Sequence, residues 1–130
     1  MKIVESMKEI SSREIKELLS QGKKNVLIVD VREKDEVKDL PLFPPETSYY
    51  KNLPLSVLRV LPREEIRARM EEFLVHAGVS SEQARIVLSC RSGGRSGQAQ
   101  TLCASVGLET ENLEGGYLAW QEEKENEAAR

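Results

Sequence analysis

Arg85-Ile86-Val87-Leu88-Ser89-Cys90-Arg91-Ser92-Gly93-Gly94-Arg95-Ser96 is the stretch that decides the fold. Its opening run is apolar, β-branched and too short for a helix, so it reads as a buried strand. Two adjacent glycines follow, and then Ala99, Leu102, Cys103 and Val106 recur at helical spacing until Gly107 stops them. Upstream, Val26-Leu27-Ile28-Val29 is a second short apolar run, ending at Asp30. Helical patterns separate these runs. Ser11-Ser12-Arg13-Glu14 has the form of a capping box, with Ile15, Leu18 and Leu19 behind it and Gly22 as its stop. Another helix is expected near Pro62, with Ile66, Met70, Phe73, Leu74 and Ala77 on one face and Gly78 at its end. A last one follows Gly115-Gly116 and fades into a charged tail at 122–130. Alternating helices and short apolar strands imply an α/β fold, with a mostly parallel sheet covered on both faces. Ligands of such sheets bind beyond the carboxyl ends of the strands, where Asp30 and Cys90 stand.

Between these elements the signals are weaker. Pro41, Pro44 and Pro45 break the stretch from 32 to 50 into an irregular loop, with one helical turn near 35–38. Asn52-Leu53-Pro54-Leu55 reads as a short strand or a strand edge.

The 130 residues fit one domain, with a core over about 10–121. Apolar residues are 39% and aromatics only 5%, so the core must be built from Leu, Ile, Val and Ala. A net charge of -3 argues against nucleic-acid binding, which needs a basic face. The segment 84–108 departs from that balance: its only charges are Arg85, Arg91 and Arg95. A local positive field in an acidic chain fits a small anionic ligand. No apolar run approaches the roughly 20 residues that span a bilayer. Met1-Lys2-Ile3-Val4-Glu5 lacks the apolar stretch of a signal peptide, so the chain reads as cytoplasmic unless it begins after a removed segment. Two cysteines and one histidine do not make the usual four-ligand zinc site, and neither metal nor cofactor is expected.

The segment 90–95 joins a buried strand to a helix. Its glycines free the backbone to gather N–H groups, and the unpaired N–H groups of the helix start point back at the loop. The expected result is an anion cradle flanked by Arg91 and Arg95, with Cys90 at its floor or edge. Such a cradle favours a thiolate and holds the charge of a bound oxyanion beside it. His76 is the sole candidate for a folded Cys–His pair, and its plainer reading is a helical surface residue, so activation is assigned to the loop. Cys103 lies on the apolar face of the following helix and reads as core packing.

Ser89-Cys90-Arg91-Ser92-Gly93-Gly94-Arg95-Ser96, followed by Leu113-Glu114-Gly115-Gly116-Tyr117-Leu118-Ala119-Trp120, resembles the rhodanese-like, or thiosulfate sulfurtransferase, domain. Val29-Asp30-Val31-Arg32-Glu33 looks like that family's D-x-R element. The resemblance implies a five-stranded parallel sheet with helices on both sides, a three-layer fold. It implies that Cys90 accepts a sulfane sulfur as a persulfide, from thiosulfate or a persulfide donor, and passes it to a thiol or to cyanide; a protein acceptor is also open. Arg91, Ser92, Gly93, Gly94, Arg95 and Ser96 would form the substrate-binding loop. Asp30 and Arg32 would support it, or serve as a structural ion pair or strand-end cap. The sequence departs from the family at 40–50, where a Pro-rich stretch replaces the usual His-Ile-x-Gly-Ala. Two rival readings are a non-enzymatic sulfur-carrier or regulatory module, and a cysteine-dependent phosphatase or arsenate reductase. The phosphatase loop is C-x5-R, whereas here Arg95 follows four intervening residues and Ser96 holds the Arg position.

Overall fold

The computed structural model describes residues 7–22, 25–80 and 82–130. Five strands and six helices follow one another as β1 (Lys8–Ile10), α1 (Ser12–Ser20), β2 (Val26–Asp30), α2 (Lys34–Asp39), β3 (Tyr50–Asn52), α3 (Leu55–Leu58), α4 (Arg63–Ala77), β4 (Arg85–Ser89), α5 (Gly94–Ala104), β5 (Glu111–Leu113) and α6 (Gly116–Ala129). All pairings are parallel, in the order β1-β5-β4-β2-β3. The fold is α/β with a five-stranded parallel sheet.

The two apolar runs are the central neighbours β2 and β4, and every residue of β2 is buried. Their side chains alternate between two cores. Leu27, Val29, Ile86 and Leu88 face one core, with Ile66, Met70 and Leu74 of α4 and Ala99 and Cys103 of α5. Val26, Ile28 and Val87 face the other, with Ile15 of α1, Trp120 of α6 and the aromatics Phe43, Tyr49 and Tyr50. A fully buried side chain of this kind contributes roughly 1.5–3 kcal/mol, so these layers hold the β2 and β4 ends in fixed register, Asp30 opposite Ser89.

The capping box forms: Ser11 Oγ accepts from the Glu14 N–H, and Glu14 reaches back to the Ser11 N–H. Helix α4 begins after Pro62 and ends at Gly78 in a left-handed conformation. Two expectations are corrected. The third strand lies at Tyr50–Asn52, two residues earlier than 52–55, because Pro54 caps α3 and sends Leu55 into a helix. Residues 122–129 continue α6 instead of forming a tail. Glu127 of this extension accepts a hydrogen bond from Lys16 of α1 at 2.9 Å, and Lys16 also lies over the Trp120 ring. Among the described residues no helix is long and apolar enough to cross a membrane.

Candidate active site

Cys90 follows β4 directly, and its side chain is 1% exposed. The chain then turns through Ser92 and Gly93 into α5. Gly93 has φ +107°, open to glycine but strained for L side chains, and in it the Gly93 N–H donates to Cys90 Sγ at 3.0 Å. Ser96, on the first turn of α5, brings its hydroxyl to 3.3 Å from Sγ. Burial pushes the Cys90 thiol up. Hydrogen bonds from the Ser96 hydroxyl and from the Ser96, Gly93 and Ser92 backbone outweigh it, and the thiol ends below its ordinary range. The backbone cradle and helix start read from the sequence are thus the groups that surround the sulfur.

The loop is braced from behind by α6. The Tyr117 N–H donates to Cys90 O at 2.8 Å and the Leu118 N–H to Arg91 O at 3.1 Å. Gly116, at φ +56°, permits this approach. A Cβ there would sit 2.4 Å from Cys90 O and 2.7 Å from Arg91 O, so any larger residue would drive the loop away.

The arginines divide. Arg91 is exposed, and its side chain has no hydrogen bond or ion pair among the described residues. Arg95 is committed: its guanidinium makes a two-pronged pair with Glu36 of α2, at 2.6 and 2.8 Å. This pair holds the Glu36 carboxyl at about 2, mainly through the Arg95 hydrogen bond. The cradle therefore offers one free arginine, and the second is neutralised by a carboxylate that the sequence reading missed.

Asp30 and Arg32 form a buried pair, 0% and 2% exposed. Arg32 Nε and Nη2 donate to the two Asp30 oxygens at 3.0 and 2.8 Å, and Nη2 also donates to Leu40 O. The Tyr50 hydroxyl donates to Asp30 Oδ2 at 2.6 Å and accepts from the Leu42 N–H. Burial first, and the neighbouring Asp30 charge second, push the Tyr50 phenol well above its ordinary range, so it stays a donor. The Arg32 guanidinium lies over the Tyr117 ring, 5.0 Å from its centre. Arg32 thus meets α6 at Tyr117, and the Val31 N–H between the pair donates to Ser89 O, next to Cys90, at 2.8 Å. The network also anchors the 40–50 loop, through Leu40 O, the Leu42 N–H and Tyr50.

His76 is exposed at the end of α4 that leads towards the start of β4, whereas Cys90 follows the other end of that strand. Cys103 is 0% exposed, and burial pushes its thiol up to about 12. Both cysteines are free. Among the described residues no group of three or more His, Cys, Asp or Glu side chains is placed to hold a metal ion.

Comparison with known proteins is consistent with this geometry. A family model described as "Rhodanese-like domain" matches residues 11–123. A Schizosaccharomyces pombe protein named "Putative thiosulfate sulfurtransferase, mitochondrial" is 34% identical over 104 residues, which cover 78% of this chain and 67% of that one. The solved structure of the human single-domain sulfurtransferase TSTD1 superposes with a TM-score of 0.64 at 25% identity, over 90% of this chain and 97% of that one. A rhodanese-like domain protein from Staphylococcus aureus gives 0.61 at 25% identity, over 88% and 91%.

Proposed function

The chain belongs to the rhodanese-like domain family, and from that premise we propose that it is a sulfurtransferase carrying a sulfane sulfur on Cys90 as a persulfide. The observation that carries the reading is the setting of Cys90: a thiol 1% exposed with the Gly93 N–H at 3.0 Å and the Ser96 hydroxyl at 3.3 Å from its sulfur. An inert core thiol has no use for such donors.

With thiosulfate as donor, the Cys90 thiolate attacks the outer sulfur. A new S–S bond forms, the old one breaks, and sulfite leaves with its electron pair. A thiolate or cyanide then attacks the terminal sulfur of the persulfide, and the pair from the broken bond returns to Cys90 Sγ. At both ends of the cycle negative charge rests on Sγ, where the Gly93 N–H and its neighbours are already oriented. Exposed Arg91 is the cation free to meet an anionic donor. Two free thiols suit a reducing compartment. Arg95, the arginine at the far end of the loop, is held by Glu36, which weighs against phosphate hydrolysis.

The test is thiocyanate production from thiosulfate and cyanide, with mass spectrometry of the Cys90 peptide for one added sulfur atom. Cys90→Ser is expected to lose both signals and keep its fold. Turnover retained by the serine variant overturns the assignment, and a folded wild-type chain that never loads sulfur favours the non-enzymatic module.

A further inference from the structure

The Ser96 hydroxyl has one proton and three acceptors in reach: Asn112 Oδ1 at 2.5 Å, Gly93 O at 3.2 Å and Cys90 Sγ at 3.3 Å. Gly93 O is already served by Asn112 Nδ2 and by the Gly97 N–H, each at 3.1 Å. The contest is therefore between Asn112 Oδ1 and the sulfur. Asn112 stands on β5, buried, and its Nδ2 bond to Gly93 O fixes which end of the amide faces Ser96. At 2.5 Å the amide oxygen lies closer than a usual O–H···O partner. A thiolate at 3.3 Å offsets its distance with charge, since charged acceptors bind a donor about twice as strongly.

We propose that Asn112 is a positioning residue that accepts the Ser96 hydroxyl's hydrogen bond while Cys90 Sγ is neutral and releases it when Sγ is charged. In the resting thiol the hydroxyl points to Oδ1; in the thiolate it turns to Sγ. The consequence for turnover rests on the sulfurtransferase reading. When Sγ attacks the donor, its charge leaves with sulfite, and the hydroxyl has an acceptor to return to. When the acceptor strips the terminal sulfur, charge returns to Sγ and the hydroxyl follows it. Without Oδ1 the hydroxyl stays on Sγ. The thiolate is then more populated, a weaker nucleophile in loading and a better leaving group in discharge.

Among the described residues, the charged groups on the loop and the elements packed against it include Arg91, Arg95 with Glu36, Asp30 with Arg32, and Arg59, the C-cap of α3, which donates to Gln98 of α5. Tyr117 of α6 faces Arg32. None is altered in the variants that follow. The experiment is the pH dependence of iodoacetamide labelling at Cys90 in the intact chain, read by peptide mapping. Asn112→Ala is expected to lower the midpoint by about 0.5–1 pH unit, because the hydroxyl is freed to serve the sulfur. Asn112→Leu, nearer in volume, is expected to do the same and serves where the alanine variant does not fold. Ser96→Ala is expected to raise the midpoint, and adding Asn112→Ala to it is expected to change nothing further. A merely structural Asn112, holding the loop through Gly93 O, gives the opposite sign: its loss disorders the cradle and raises the midpoint. That result, or a lowering by Asn112→Ala that persists without the Ser96 hydroxyl, overturns the proposal. Labelling needs no sulfur transfer, so a wild-type chain that fails to load sulfur sinks the functional reading and leaves this test intact.

Discussion

Two cysteines in this molecule share a core and nearly the same burial, 1% for Cys90 and 0% for Cys103, and their thiols move in opposite directions. Cys103 sits in the last turn of α5, where the backbone N–H groups are spent on the helix itself. Burial acts alone on it, and the thiol rises to about 12. Cys90 sits at the end of a strand and the mouth of a helix, where N–H groups have no internal partner. Burial pushes it up as well, but the donors of Ser96, Gly93 and Ser92 reverse the result. Depth alone does not set the direction in which a thiol of this core shifts; the Ser96 hydroxyl and the unpaired backbone donors do.

The largest expected effect separates the two sites outright. Cys90→Ser abolishes thiocyanate formation, because a serine oxygen cannot carry sulfane sulfur, while Cys103→Ala keeps most of it. Comparable losses in both would mean that the two thiols work together. Next is the support beneath only one of them. Asp30→Ala leaves Arg32 charged, buried and unpaired, and is expected to cost roughly 3–5 kcal/mol in urea unfolding. A cost near zero would mean that water reaches Arg32. The cavity left by Cys103→Ala is smaller, about 1 kcal/mol or more by the same measurement.

The smallest effect concerns Glu36, whose pair with Arg95 is one-third exposed and is therefore expected to contribute only tenths of a kcal/mol. Its carboxyl is held at about 2 against an ordinary 4.5. A carboxylate depressed on folding stabilises the native state above its ordinary value, and that contribution is lost as pH falls towards the lowered one. Glu36→Gln is therefore expected to leave a small deficit at neutral pH that narrows through acid and closes near pH 2. A deficit that does not change across that range would mean that the pair adds nothing by charge.

How much of this was legible in the sequence follows from the same contrast. β2 and β4 announce themselves because both faces are covered, so residues 26–29 and 86–88 are all apolar, up to Asp30 and Ser89. β1 and β5 have three residues each, Lys8-Glu9-Ile10 and Glu111-Asn112-Leu113, too short and polar to show a period. The loop Cys90 to Ser96 was legible because its parts are contiguous. Its partners were not: Glu36 lies 59 residues from Arg95, and Asn112 lies 16 from Ser96. Such pairings exist only once the parallel sheet brings strand ends together. Glu33 and Glu36 of the helical turn after Arg32 gave no local sign of which would meet an arginine. The polar end of α6 reads as a tail because Lys16, which anchors Glu127, is on α1.

One measurement bears on the central claim most directly: iodoacetamide labelling of the wild-type protein against pH, with the Cys90 and Cys103 peptides quantified from the same digest. Cys90 is expected to label with a midpoint below the free-thiol value of about 8.5, and Cys103 to stay unlabelled in the folded state across the same range. A Cys90 midpoint at or above the free value, or two cysteines that label together, would contradict it.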